Sequence, residues 1–262
     1  MPDRTDFHEF VKNTDVLREQ PTDIGVPVAE LRAWRKQYGV SAGITRRGDF
    51  DNPFDLKIGS EELESDSWRG FKRSFKSGFP RLVLARQVHK ADVVWHPSMK
   101  PPDGLIGDAD GHATRQSGLL MCVTVADCVP VFIFHPQTGS MALLHAGWRG
   151  IVCGILESGV NTLVRSVGLE PDQLVVHFGP SIDGDNYEVS PEVSTALGLP
   201  TPKTPTSVNL REVLAERARK LGIWKITQSP WSTFVDSVHF FSHRRDRDRA
   251  GRMVAYLGRP LT

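Results

Sequence analysis

Three short apolar runs, separated by a few polar residues, dominate the middle of the 262-residue chain. They span residues 118–125, 129–134 and 141–144, and they are rich in β-branched residues with glycine or proline at or near their ends. Runs of this length and composition are typical of strands buried on both faces. Asp127, Cys128 and His145 follow the runs directly, so an acid, a thiol and an imidazole are predicted at strand ends. Such groups need partners when they are buried, which points to a metal site or a catalytic network.

The remaining pattern predicts further strands and helices. Apolar residues alternate between Leu82 and Trp95, which indicates a strand that places His89 on it or just beyond it. A period near 3.6 follows His145 as far as about residue 167 and predicts a helix that begins between Gly147 and Gly150. Other helices are predicted over 28–38 and 61–75, from Pro191 onward, and from the N-cap residue Asn209 to Gly222. Other strands are predicted over 174–178, 223–226, 238–242 and 253–257.

These elements predict an α+β (α/β layered) fold, with a mixed β-sheet core and helices on its faces. Residues 1–39 are polar and mixed in character, and we interpret them as an N-terminal appendage. Residues 40–262 are interpreted as a single catalytic domain, because a chain of this length can bury one full core.

Charge and cysteine content narrow the class of function. The chain has 32 Lys and Arg against 31 Asp and Glu, which gives no electrostatic reason to expect nucleic acid or a membrane surface as a partner. A small-molecule substrate fits better. The N-terminal residues lack the apolar stretch of a signal peptide, so a cytoplasmic location is expected. Three cysteines are too few for a disulfide framework and are expected to be reduced thiols.

His89, Cys128 and His145 form the main candidate constellation. Two imidazoles and one thiolate suit zinc, with a fourth coordination position left open as in catalytic sites, and they also suit copper. A second interpretation is metal-free: Cys128 as a nucleophile, with His145 or His89 as its base. His89 is also compatible with an ordinary core histidine, and the spacing of the three residues does not decide among these alternatives.

Several motifs occur here in the order seen in one known family. They are Gln87-Val88-His89, residues 110–114, Ala126-Asp127-Cys128-Val129-Pro130, His145-Ala146-Gly147-Trp148-Arg149-Gly150, Gly179-Pro180-Ser181-Ile182 with Tyr187-Glu188-Val189, and Ser242-His243-Arg244-Arg245-Asp246 with Gly251-Arg252. The chain resembles the laccase-domain family, once called multicopper polyphenol oxidoreductases and now regarded as zinc-dependent purine nucleoside phosphorylases with adenosine deaminase activity. The resemblance covers roughly residues 40–258.

The resemblance implies a fold and a set of site residues. The fold is a three-layer, mixed-sheet sandwich related to cysteine-hydrolase toxins, and the metal, zinc or else copper, is bound by His89, Cys128 and His145. The substrates are a purine nucleoside (adenosine, inosine or methylthioadenosine) and phosphate. The catalytic residues are Asp127, Cys128 and Arg149, and the substrate-binding residues are Arg46, Arg149, Tyr187, Arg244 and Arg245. Asp127 is the candidate for orienting His89 or His145, or for proton transfer.

Within this resemblance some positions differ from the usual pattern. Lys90 stands where a glycine is usual, His243 where a tyrosine is usual, and Ser232-Thr233 where many members have a Cys-Thr pair. We expect neither His112 nor His243 to bind the metal, and we expect substrate to enter between the 179–187 loop and the 45–48 loop. Alternative functions are a Cys-His hydrolase, including editing of cell-wall precursors, and copper-dependent phenol oxidation. The last is the weakest, because one Cys and two His cannot build several copper centres.

Overall fold

In the computed structural model, which describes residues 14–58, 63–97 and 103–261, the strands lie in two large mixed sheets. The first sheet has seven strands in the order β1-β15-β12-β10-β11-β8-β6. These strands are β1 (Asp15–Val16), β6 (Val93–His96), β8 (Gly111–Thr114), β10 (Val129–Phe134), β11 (Met141–Ala146), β12 (Val175–Phe178) and β15 (Lys225–Gln228).

The second sheet also has seven strands, in the order β2-β3-β4-β16-β9-β5-β7. These are β2 (Gln20–Asp23), β3 (Pro27–Glu30), β4 (Ser41–Thr45), β5 (Arg81–Arg86), β7 (Gly104–Asp108), β9 (Leu119–Val125) and β16 (Met253–Gly258). A separate two-stranded ribbon pairs β13 (Glu188–Val189) with β14 (Thr206–Ser207).

The described part of the chain contains seven α-helices: α1 (Arg32–Tyr38), α2 (Asp66–Phe75), α3 (Trp148–Val152), α4 (Ile155–Val167), α5 (Pro191–Ala196), α6 (Leu210–Lys220) and α7 (His243–Asp246). Three of them, α2, α4 and α6, cover the outer faces of the sheets. One apolar cluster joins the first sheet to α4 and α6, and another joins the second sheet to α2. A third cluster contains residues of both sheets, such as Phe132 of β10 and Val123 of β9, and therefore lies between them. The predicted mixed-sheet layered fold is confirmed. The structure has four layers, in the order helix, sheet, sheet, helix, whereas three were expected.

Several local predictions hold because their signals are local. Asn209 caps α6 by accepting from the backbone N–H of Arg211 at 3.1 Å, and Gly147 precedes α3 as its N-cap. The helix after His145 is interrupted at Cys153-Gly154, because Gly154 has a φ of 85°. The predicted strand over 238–242 is wrong: this segment forms turns, in which the carbonyl of Phe240 accepts from Nη2 of Arg245 at 3.0 Å.

The segment before residue 40 is not an appendage in its described part. β1 pairs with β15 in the first sheet, and β3 pairs with β4 in the second, so this segment contributes to both. Glu19 is buried, and its carboxylate accepts from Nε2 of His177 at 2.7 Å and from the hydroxyl of Ser229 at 2.6 Å. A buried carboxylate needs such partners, so these contacts hold the segment on the core. The predicted division at residue 39 therefore has no structural counterpart.

No helix among the described residues combines the length and apolar character needed to cross a membrane.

Candidate metal centre

The chain passes from the second sheet to the first at three neighbouring places, and these crossings build the site. Residues 87–92 join β5 to β6, residues 109–110 join β7 to β8, and residues 126–128 join β9 to β10. The crossings supply His89, Asp110 and Cys128, while His145 comes from β11 beside them. Residues far apart in sequence thus meet at one edge of the sandwich.

The predicted ligands do come together. The ligand atoms of His89, Cys128 and His145 all lie within 4.8 Å of one another, and the two imidazole rings meet edge to face at 81°. His145 is buried, Cys128 is partly buried and His89 is exposed, so the cluster opens toward solvent on the His89 side. This is the arrangement expected of a site with a coordination position left for a substrate.

The carboxylate of Asp110 accepts hydrogen bonds from two of the candidate ligands and so holds them in place. Its Oδ1 accepts from Nδ1 of His145 and from the backbone N–H of His89, each at 3.0 Å. Its Oδ2 accepts from the backbone N–H of Lys90 at 2.7 Å and of Val88 at 3.2 Å. Because a carboxylate only accepts, Nδ1 of His145 carries a proton, so Nε2 is the nitrogen that would bind a metal.

The loop that carries His89 is fixed at both ends. Before it, Oε1 of Gln87 accepts from the N–H and hydroxyl of Thr124, and Nε2 donates to the Thr124 carbonyl at 2.7 Å. After it, the backbone N–H of Lys90 donates to Oδ2 of Asp110. His89 itself has a φ of 58°, a backbone conformation that side chains other than glycine adopt rarely. These contacts therefore hold the imidazole in a position that the free chain would seldom adopt.

Gly147 makes room for the ligands. A Cβ atom at this position would lie 2.8 Å from Sγ of Cys128 and 3.4 Å from Cδ2 of His89. Any larger residue would push into the space in which these two side chains converge. The glycine of the His145–Gly150 motif therefore allows the cluster to form, and the five-residue α3 that follows it offers only a short helix start.

The electrostatics of the site favour a thiolate. Burial opposes a charge on Cys128, but the charges and hydrogen bonds of His145 and then His89 outweigh it and lower the thiol pKa to about 6. Burial likewise opposes a charge on His145, but the Cys128 thiolate and the hydrogen bond to Asp110 raise the imidazole pKa to about 9. Burial would raise the pKa of Asp110, yet its hydrogen bonds from His145 and Lys90 hold that pKa below its usual value. The ligand sulfur is thus ionised near neutral pH.

The orienting role predicted for Asp127 belongs to Asp110. Oδ1 of Asp127 accepts from the hydroxyl of Thr233 at 2.6 Å, and Oδ2 accepts from the backbone N–H of Arg244 at 2.7 Å. Asp127 therefore attaches the 233–244 segment beside Cys128 and contacts neither histidine ligand. Asp110 was part of a recognised motif, but only its distant pairing with His145 reveals its role.

The predicted substrate arginines divide into two groups. Arg46 donates to the carbonyls of Val28 and Thr22 and contacts Nδ1 of His239, so it ties loops together. Arg245 donates to three backbone carbonyls and to both oxygens of Asp246. Both guanidiniums are engaged within the chain and neither residue lines the cleft described below, so their role in substrate binding stays a prediction.

Arg149, Arg244 and Tyr187 remain together beside Cys128. The Arg244 guanidinium lies 4.9 Å above the Tyr187 ring, and the charges of Arg149 and Arg244 both act on the Tyr187 hydroxyl. Burial, followed by the charge of Cys128, nevertheless raises the Tyr187 pKa to about 12, so this hydroxyl stays protonated and can donate. Arg149 is exposed and packs on the Trp148 ring at 4.3 Å.

A cleft of about 860 Å³ opens in front of the three ligands. Its walls come from β7, from the ends of β5 and β9, and from the loops that follow β5 and β9, and they include charged side chains. The lining residues used below are Lys57, Arg86, Asp108, His243 and Arg252. Neither the 179–187 loop nor the 45–48 loop lines this cleft, and the expected substrate entrance between them stays a prediction. His243 lines the cleft but does not belong to the group of candidate ligands. His112 is buried, and its Nδ1 lies 3.2 Å from Nε2 of His96.

Comparison with known proteins gives a consistent result. Purine nucleoside phosphorylase YlmD of Geobacillus stearothermophilus is 29% identical over 248 residues, which cover 84% of this chain and 90% of that protein. A purine nucleoside phosphorylase of Streptomyces coelicolor is 33% identical, over 68% of this chain and 74% of its own.

Solved structures agree with the sequence comparison. The crystal structure of Geobacillus stearothermophilus YlmD superposes with a TM-score of 0.76 at 26% identity, covering 86% of this chain and 93% of that one. The hypothetical protein YfiH of Bacillus licheniformis shares the fold, with a TM-score of 0.79 at 24% identity over 91% of this chain and 98% of its own. The family model described as multi-copper polyphenol oxidoreductase laccase matches residues 56–260. The chain therefore belongs to the multi-copper polyphenol oxidoreductase laccase family.

Proposed function

We propose that the chain is a zinc-dependent purine nucleoside phosphorylase with adenosine deaminase activity, acting on adenosine, inosine or methylthioadenosine. The observation that carries the proposal is the convergence of His89, Cys128 and His145 at the base of an open cleft. Relatives that cover most of the chain are named purine nucleoside phosphorylases, which supports the same reaction here.

The three side chains fit zinc on chemical grounds. Cys128 is poised as a thiolate, and hydrogen bonding of Nδ1 of His145 to Asp110 leaves Nε2 as the donor atom. Gly147 keeps clear the space in which the donors meet. Copper(II) also accepts imidazole and thiolate ligands, so the donor set alone does not distinguish the two metals. Bound zinc would supply a positive charge that polarises a substrate atom and acidifies water.

In phosphorolysis a phosphate oxygen attacks C1′ of the ribose while the bond from C1′ to N9 of the purine breaks. The bonding electron pair leaves with the purine, which takes up the proton that phosphate brought, and ribose 1-phosphate is released. The protein must therefore bind an anion, hold the nucleoside and stabilise charge on the departing base. In deamination, water adds at C6 of the adenine ring of adenosine and the amino group leaves as ammonia, which gives inosine.

Tyr187, Arg149 and Arg244 are proposed to bind the nucleoside. The guanidinium of Arg244 lies over the Tyr187 ring, and these two groups offer a cationic and an aromatic surface, each of a kind that stacks on a purine. Asp127 positions this surface by holding the backbone N–H of Arg244. A role for Asp127 in proton transfer stays part of the proposal, because its carboxylate lies next to Cys128 in the chain.

A second function is favoured by one specific observation, the ionised pair of Cys128 and His145. A thiolate beside an imidazolium is also the arrangement of a cysteine hydrolase, including one that edits cell-wall precursors. In that mechanism Cys128 attacks a carbonyl and His145 returns a proton to the leaving group. Metal dependence separates the two functions, since a bound metal occupies the sulfur that the hydrolase needs.

The test is a substrate screen on three protein samples: zinc-loaded, metal-free, and Cys128→Ala. Adenosine, inosine, guanosine and methylthioadenosine are each supplied with and without phosphate, and the purine and sugar products are quantified. We expect phosphate-dependent cleavage and adenosine deamination only in the zinc-loaded sample. Activity in the metal-free sample that iodoacetamide abolishes at Cys128 would instead support the hydrolase, and activity with copper alone on phenols would support the oxidase.

A further inference from the structure

We propose that Lys57 and Arg252 form the subsite that binds inorganic phosphate, and that Asp55 is the positioning residue that brings them together. The inference deepens the proposed function, because it names where the anionic co-substrate of that reaction binds. The charged side chains of the cleft come from four separate segments of the chain, at Lys57, Arg86, Asp108 and Arg252.

The positive charges on the cleft rim are not equivalent. Arg86 is already neutralised, because its guanidinium lies 2.6 Å from Oδ1 of Asp108. Lys57 and Arg252 line the same cleft, and neither side chain forms an ion pair within the described part of the chain. Nη1 of Arg252 donates to the carbonyls of Ala250 and Gly251, which orients the guanidinium and leaves its other nitrogens available. The part of the cleft lined by Lys57 and Arg252, called the positive end below, therefore carries two positive charges.

Asp55 holds that end together through the backbone. Its Oδ1 accepts from the N–H of Lys57 at 2.9 Å and from the N–H of Arg252 at 2.8 Å. Between these contacts the N–H of Leu56 donates to the carbonyl of Arg252 at 3.0 Å. Two segments almost two hundred residues apart in sequence are thus fixed side by side, with a lysine and an arginine on the same cleft.

The segment that carries Arg252 packs closely against Asp55 at Gly251. A Cβ on Gly251 would lie 2.9 Å from Cγ of Asp55 and 2.7 Å from the Phe241 ring. Oδ1 of Asp55 is directed at two backbone amides, those of Lys57 and Arg252. The carboxylate is used for positioning, and the side chains it positions are cationic.

The chemistry of the pair fits a phosphoryl group. A guanidinium offers a planar fork of donors to phosphate oxygens, and an ammonium adds a compact positive charge that suits a doubly charged anion. The phosphoryl group could belong to inorganic phosphate or to the 5′-position of a nucleotide. We commit to inorganic phosphate, because the relatives are named nucleoside phosphorylases and such a reaction requires it.

The experiment measures steady-state kinetics of zinc-loaded protein with inosine and variable phosphate. Lys57→Met and Arg252→Met should each raise KM for phosphate by about 10- to 100-fold, the loss expected for one charge-assisted hydrogen bond, while KM for inosine changes less than about threefold. Lys57→Arg should restore most of the affinity. Lys36→Met, which removes an exposed lysine from α1, is the matched control and should behave as wild type.

Asp55 is tested with a pair of variants. Asp55→Asn keeps an oxygen that can accept from both amides and should retain most phosphate affinity, whereas Asp55→Ala should raise KM for phosphate with little change in kcat. Equal thermal stability of the two variants by circular dichroism would show that the KM effect is not general unfolding. An equal KM for phosphate in both variants and wild type would overturn the positioning role.

Direct binding separates failure of the subsite from failure of the proposed function. Isothermal titration of inorganic phosphate into the zinc-loaded protein should show binding that Arg252→Met weakens by the same factor as in the kinetics. Wild-type phosphorolysis with a KM for phosphate unchanged in both Met variants would refute the subsite and leave the function standing. No phosphorolysis, but turnover of inosine 5′-monophosphate that depends on Arg252, would overturn both the function and the choice of inorganic phosphate.

Discussion

Nδ1 of His145 lies 3.0 Å from Oδ1 of Asp110, and the same oxygen accepts from the backbone N–H of His89 at the same distance. One buried carboxylate thus fixes the tautomer of one candidate ligand and the backbone of another. Such outer partners of metal ligands set both orientation and basicity. The site is therefore built around four residues, namely the three candidate ligands and Asp110, which holds two of them in place.

The first prediction concerns Asp110. Asp110→Asn keeps the size of the side chain but removes its charge, so it should weaken zinc binding by about 10- to 100-fold. Zinc affinity is measured by competition with a chromogenic chelator. Asp92→Asn, an exposed acid on the same crossing, serves as the control and should leave the affinity unchanged. Unaltered zinc affinity in Asp110→Asn would remove Asp110 from the support of the site.

The second prediction concerns Gly147. Gly147→Ala places a methyl group 2.8 Å from the Cys128 sulfur, so the sulfur or the α3 start must move. We expect zinc content and turnover to fall together while the far-ultraviolet circular dichroism spectrum is kept. Gly70→Ala in α2, whose nearest neighbour would be 3.6 Å away, is the matched control. A fully zinc-loaded, active Gly147→Ala protein would contradict the geometry described for the site.

The third prediction concerns pH and the metal-free protein. The raised pKa of His145, about 9, gives stability that is complete below its unfolded pKa and lost as pH rises through 9. The lowered pKa of Cys128, about 6, gives stability that is complete above its unfolded pKa and lost as pH falls through 6. The ion pair therefore stabilises the fold most between these two values.

Urea unfolding of metal-free wild type and Cys128→Ser checks this window. The stability difference between them should be largest near pH 7.5 and smaller near about pH 5 and pH 10. In a Cys153→Ser background, which removes the exposed thiol, alkylation of Cys128 should rise through a midpoint near pH 6. A midpoint close to that of an ordinary thiol would show that the histidines do not stabilise the thiolate.

The fourth prediction separates two arginines that look alike in the sequence. Arg46→Gln removes donors from the Val28 and Thr22 carbonyls and should lower the free energy of unfolding by about 1–2 kcal/mol. Arg149→Met should leave stability unchanged and reduce turnover about tenfold or more, because this side chain is proposed to contact substrate. Chemical unfolding and inosine kinetics are measured on both. The reverse pattern would exchange their roles.

Local patterns predicted the elements around the site well. The apolar runs that become β9, β10 and β11 are buried nearly throughout, and Cys128 and His145 lie at the strand ends that those runs define. The helix after His145 begins at Trp148, as the change of period predicts. These features depend on neighbouring residues, which is why sequence reasoning reaches them.

Long-range pairing explains what the sequence could not supply. Asp110 gains its role only when β8 pairs beside β11, and Asp55 only when its loop meets Gly251-Arg252. The buried Phe240 and Phe241 resemble a strand locally, but the carbonyl of Phe240 accepts from Arg245 and the N–H of Phe241 donates to the sulfur of Met253. Arg46 likewise looks like a free loop cation until its carbonyl partners are seen.

His89, Cys128 and His145 are proposed to hold one zinc ion that the reaction requires. Phosphate-dependent conversion of inosine to hypoxanthine and ribose 1-phosphate tests this role, with zinc content determined by elemental analysis on the same samples. We expect about one zinc per chain with turnover in wild type, and loss of both in Cys128→Ala. Full zinc content in Cys128→Ala, or undiminished turnover in zinc-free protein, would overturn the assignment of these ligands.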